Sequence, residues 1–126
     1  MGLDMYLTAR RSGIESVEEE EQDVGYWRKA NAIHAWFIDN VQDSQDNCGD
    51  YDVTREQLTE LLNTVNTVLS DLSKAKALLP TRQGFFFGFY DYDDWYIENL
   101  NDTVKIIEKA LTLVEEGWTI SYYSSW

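Results

Sequence analysis

Both ends of this chain alternate in polarity every second residue, and that pattern restricts the fold more than any other feature. Leu3, Met5 and Leu7 fall on one side of an extended segment, with Asp4, Tyr6 and Thr8 on the other. Trp118, Ile120 and Tyr122 alternate in the same way with Thr119, Ser121 and Tyr123. A lone strand leaves its backbone N–H and C=O groups unpaired, so the two terminal strands are expected to pair with each other. Arg10 to Gly13 reads as the exit turn of the first.

Between the ends the apolar period becomes helical. Trp27, Ala30, His34, Phe37 and Val41 share one face, widened by Ile33, Trp36 and Ile38, which predicts a first helix over 24–41 with Asp23 as its cap. Thr54 and Gln57 have the spacing of a capping box. The apolar stripe Leu58, Leu61, Leu62, Val65, Val68, Leu69 and Leu72 predicts a second helix from there to Leu79, where Pro80 stops it. Tyr96, Leu100, Val104, Ile107, Leu111 and Val114 predict a third, with Gly117 as a left-handed C-cap. Residues 84–90, bounded by Gly84 and Gly88, read as a short strand or a shaped loop, and 42–52 as a polar loop. The expected architecture is α+β: three helices packed on a small antiparallel sheet formed by the N- and C-terminal strands.

The length of 126 residues suits a single domain over 1–126, with enough surface buried for a real core. There is no internal repeat and no linker. With 23 acids against 10 bases the net charge is -13, yet aromatics reach 14 %, which disordered chains do not. No run approaches the ~20 apolar residues of a membrane helix, and no signal peptide opens the chain. The lone Cys48 excludes an internal disulfide. These features predict a cytoplasmic setting without direct binding to nucleic acid, whose phosphates select Lys and Arg.

Candidate chemistry is sparse. The single histidine, His34, has Ala30, Asn31 and Ile38 as its helical neighbours, none of them a proton-transfer partner, so a hydrogen-bonded core histidine is expected. Cys48 sits among aspartates, which raise a thiol's pKa and predict an unreactive group. Counted from Asp46, an EF-hand would need glycine at Tyr51 and glutamate at Gln57, so no calcium loop is present. One Cys and one His do not make a zinc site. No catalytic set, metal site or cofactor is therefore assigned, and the chain is expected not to be an enzyme.

Fifteen of the acids fall within 15–23, 39–52 and 91–98. Glu18, Glu19, Glu20, Glu21, Asp43, Asp46, Asp50, Asp52, Asp91, Asp93 and Asp94 form a candidate partner-binding surface, imitating a phosphate track and steering a basic partner by long-range attraction. The four glutamates 18–21 are expected in an exposed loop or a mobile lead-in, since like charges repel. Phe86, one of three consecutive phenylalanines, and Trp95 are candidate anchors. An uncharged polar stripe on the second helix, Thr59, Asn63, Asn66 and Ser70, is a further candidate contact. A different class of function, capture of an anionic nucleotide, would use Tyr26, Trp27, Arg28, His34 and Arg82. An enzyme of unknown type is the third class.

The segments Met1-Gly2-Leu3-Asp4-Met5-Tyr6-Leu7 and Gly25-Tyr26-Trp27-Arg28-Lys29-Ala30-Asn31-Ala32-Ile33-His34 are distinctive as a set with Leu78-Leu79-Pro80-Thr81, Gly84-Phe85-Phe86-Phe87-Gly88 and Ser124-Ser125-Trp126. Together, and over nearly the whole chain, they resemble an uncharacterised family of small proteins encoded by phages and prophages. The resemblance implies a mobile-element setting and no mechanism. The acidic block at 18–21 lies outside its motifs. The leading expectation is a non-enzymatic protein of phage or prophage origin. It would inhibit a host nuclease or other defence factor with a basic surface, in the host cytoplasm, and a homo-oligomer is compatible with this.

Overall fold

A computed structural model describes residues 3–12, 19–43, 49–81, 92 and 94–125. The terminal strands pair as the alternation requires: β1 (Asp4–Ser12) runs antiparallel to β4 (Thr119–Ser125), with Leu7 opposite Tyr122. β2 (Glu19–Arg28) adds to the other side of β1, and the short β3 (Tyr51–Val53) to the other side of β4, giving the order β2-β1-β4-β3. The helices are α1 (Asn31–Asn40), α2 (Arg55–Ser70), the four-residue α3 (Ala75–Leu78) and α4 (Asp94–Glu115). The fold is α+β, with an antiparallel sheet and helices as expected.

β2 overturns two expectations. The glutamates at 19–21 lie in a strand, and residues 24–28 extend that strand where a helix was expected; α1 begins only at Asn31. The cause is a bulge. Leu7 pairs with Gly25 but Thr8 pairs with Asp23, so Val24 is an extra residue. Val24 and Trp27 are both buried at a three-residue spacing, which imitates a helical period. The register sets Arg10 opposite Glu21 and Arg11 opposite Glu20, cross-strand positions at which opposite charges are favoured. Asp23 is consequently a strand residue and caps nothing. At the corner Lys29 takes a φ of 55° while its N–H donates to the Leu3 carbonyl at 2.7 Å. The N-cap of α1, Ala30, supplies no side-chain hydrogen bond.

The second helix is also shorter than its apolar stripe. It opens with the expected capping box, Gln57 N–H donating to Thr54 Oγ1 at 3.1 Å and Thr54 N–H to Gln57 Oε1 at 2.9 Å. It ends at Ser70 rather than Leu79, because Asp71 turns extended and caps the next turn. The Asp71 carboxylate accepts from the Ser73 N–H at 3.1 Å and the Ser73 hydroxyl at 2.6 Å, bonds that hold its carboxyl below the usual range. A 3-10 turn over Leu72–Lys74 then leads into α3. α4 ends as expected: Gly117, at φ 96°, donates to the Val114 carbonyl at 3.1 Å and Trp118 to Leu113 at 3.0 Å, the paired bonds of a Schellman cap.

The core lies on one side of the sheet. Leu3 just before β1, Met5, Leu7 and Ala9 of β1 and Ile120 and Tyr122 of β4 are fully or almost fully buried, in one cluster with Phe37 of α1, Leu58, Leu61, Val65 and Val68 of α2 and Leu100 and Ile107 of α4. Each buried Leu, Val, Ile, Met or Phe side chain stabilises the fold by roughly 1.5–3 kcal/mol relative to exposure. The Tyr122 ring stacks on Phe37 with centroids 3.9 Å apart and planes 7° apart. The Trp27 indole N–H donates to Thr103 Oγ1 at 2.8 Å, and that hydroxyl donates to the Asn99 carbonyl at 2.6 Å, tying β2 to α4 without an unpaired polar atom.

Candidate functional site: the open face of the sheet

Period-two geometry sends the remaining strand residues to the opposite side. Asp4, Tyr6, Thr8 and Arg10 of β1 share that side, and Tyr6 lies in register with Tyr26 of β2 and Tyr123 of β4. The tyrosines therefore form a row across three strands. The Tyr6 and Tyr26 rings are 5.3 Å apart and inclined by 45°; Tyr6 and Tyr123 are stacked at 4.7 Å and 15°. Tyr26, on the edge strand, keeps 51 % of its surface exposed.

Carboxylates surround the row. The Tyr26 hydroxyl donates to Asp4 Oδ1 at 2.5 Å, and this bond, with burial second, raises the Tyr26 pKa. Burial first, and then the neighbouring Tyr6, Asp23, Asp50 and Glu21, raise the pKa of the Tyr123 phenol; Asp23 and Glu21 lie opposite Thr8 and Arg10 on this side of the sheet. Toward β3, Arg10 donates to Ser121 Oγ at 2.7 Å and to Asp52 Oδ1 at 2.7 Å, and the Ser121 hydroxyl donates to the same Asp52 oxygen at 3.0 Å. Arg28 is exposed opposite Asp4. The face is thus a rigid aromatic strip with an acidic border.

The sequence-derived candidates divide. Glu21, Asp50 and Asp52 belong to this face, and Glu19 and Glu20 lie in β2 beside it. Asp43 is exposed beyond α1, and Asp94 is exposed in the first turn of α4, where its charge suits the helix dipole. Trp95 is 40 % exposed and lines a cleft at the start of α1 with Lys29, Thr81 and Asn99. Glu18, Asp46, Cys48, Arg82, Phe86, Asp91 and Asp93, and the segment 84–90, lie outside the described residues. In the nucleotide-capture group, Tyr26 and Arg28 stand on the open face while Trp27 and His34 are buried on the other, so the sheet separates them. His34 is the expected core histidine: its Nδ1 is 2.6 Å from the Tyr122 hydroxyl. The polar stripe of α2 is exposed, but its hydroxyls bond backward along the helix, Thr59 to the Arg55 carbonyl at 2.9 Å and Ser70 to the Thr67 carbonyl at 2.8 Å.

Asp4, Tyr6, Asp23 and Tyr123 were not singled out from the sequence as partner-binding residues. The signal for three of them was the terminal alternation itself, which placed Asp4, Tyr6 and Tyr123 on the sides away from the apolar residues. Among the described residues no group of His, Cys, Asp and Glu is arranged to hold a metal ion, and no helix is long and apolar enough to cross a membrane. Comparison with protein-family models, curated proteins and solved structures finds no match.

Proposed function

We propose that the protein is a non-enzymatic binding protein of phage or prophage origin that docks its open sheet face on a basic surface of a host protein, such as a nuclease or another defence factor. The observation that carries this reading is the convergence of Asp4, Glu21, Asp23, Asp50 and Asp52 on a face that presents stacked tyrosines. Aromatic residues on a rigid strand platform lose little side-chain freedom when covered, and they are over-represented among the residues that dominate interface energies. The acids accelerate encounter with a basic partner and repel nucleic acid. The action is assigned to the host cytoplasm.

Capture from host lysate at low and moderate salt tests this, with mass spectrometry of bound proteins and of released small molecules. The expected result is a basic protein retained at low salt, weakened at moderate salt, and lost in a Glu21→Gln/Asp23→Asn/Asp50→Asn variant. A released nucleotide without a protein partner would overturn the proposal in favour of small-molecule capture.

A further inference from the structure

Resting on the docking reading above, we propose that the open face recognises arginine in its partner, with a guanidinium lying on the exposed Tyr26 ring and donating to the Asp4 carboxylate. Tyr26 is the end of the row that faces outward, on an edge strand, while Tyr6 has a ring on either side. The hydroxyl of Tyr26 is already bonded to Asp4 Oδ1, so ring and carboxylate are held together before any ligand arrives. A carboxylate accepts several hydrogen bonds, and the tyrosine takes one of them. A flat cation that stacks on a ring and donates in its own plane fits this pair. Guanidinium does both, and it is more weakly hydrated than an ammonium. Lysine offers a point charge that the acidic border attracts but the ring and carboxylate do not orient.

The same sheet already holds guanidinium groups in each of these two ways. Arg10 donates to Asp52 and Ser121 on the open face, and the Arg11 guanidinium lies over the Trp118 ring at 4.5 Å from its centroid. Arg28, opposite Asp4 at the end of β2, is a like charge beside the site. It reduces the attraction for any cation, so its removal should tighten binding.

Dye-labelled oligo-arginine and oligo-lysine peptides of equal length, titrated into the full chain at two salt concentrations, read this directly. The arginine peptide is expected to bind about fivefold more tightly, the size of an exposed cation–π contact. Tyr26→Leu, at a half-exposed position, should reduce arginine binding to the lysine level and leave lysine binding unchanged, while Tyr26→Phe keeps most of the preference and Arg28→Gln strengthens arginine binding. Equal, salt-sensitive binding of both peptides would overturn arginine recognition and leave the acidic docking face standing. So would a preference that survives in Tyr26→Leu. Failure of both peptides to bind at low salt would overturn both.

Discussion

Gly25 is a residue whose lack of a side chain decides how two elements meet. A methyl group at its Cβ would overlap the Ile106 side chain of α4, which crosses β2 there. The neighbour is β-branched and stiff at χ1, so it has little room to move aside. Gly25→Ala should destabilise the protein by about 1–3 kcal/mol, the cost of overpacking a filled site. The penalty should shrink in an Ile106→Ala background, and a double-mutant cycle on denaturant midpoints measures that coupling. Tyr96 makes a different prediction, about alkali. Its hydroxyl donates to the Leu79 carbonyl at 2.7 Å, and burial, with a smaller contribution from Tyr92, raises its pKa above the ordinary 10.0. The neutral phenol is favoured in the fold, so the stabilisation is complete below pH ~10 and declines as pH rises from there toward the raised value. Melting temperature against pH should therefore fall less steeply above pH ~10 in Tyr96→Phe than in the parent chain.

Elements are specified by caps and breaks as much as by apolar periods. Thr54 shows the effect of a cap: its box with Gln57 starts α2, and the Gln57 Nε2 also donates to the Asn40 carbonyl at the end of α1 at 2.8 Å. Thr54→Ala should cost about 0.5–2 kcal/mol, and chemical denaturation will show it. That cap was legible in the sequence, as were the Gly117 terminus and the pairing of the two ends, because each depends on local chemistry or strict alternation. β2 was not legible. Its bulge at Val24 gives buried Val24 and Trp27 a helical spacing, and the positions opposite its glutamates belong to another strand, so no pattern within 19–28 announces the pairing. The early end of α2 was hidden for a similar reason: Leu72 continues the apolar stripe but is 40 % exposed, because the Asp71 cap had already turned the chain. The tyrosine row was half legible. Alternation put Tyr6 and Tyr123 outward, but only the sheet order brings them together with Tyr26.

At the scale of the whole molecule, a net charge of -13 would attract basic proteins from any direction if it were evenly spread. The fold does not leave it featureless. It sets Glu21 and Asp23 on the sheet side that carries Tyr123, with Asp50 just before β3, while Glu60, Asp102 and Glu108 stand exposed on α2 and α4. Two triple variants separate a local from a global effect. Glu21→Gln/Asp23→Asn/Asp50→Asn and Glu60→Gln/Asp102→Asn/Glu108→Gln carry the same net charge as each other. If total charge governs binding, they lose affinity for the proposed basic partner equally. If the sheet face governs it, the first variant should bind at least tenfold more weakly, about 1.4 kcal/mol or more, with a shallower salt dependence, and the second should stay within about twofold of the parent. Association rates in a salt series give the clearest reading, because steering acts on encounter, whereas tyrosine contacts act mainly on the lifetime of the complex. Equal losses in the two variants would show that the open face is merely one acidic surface among several.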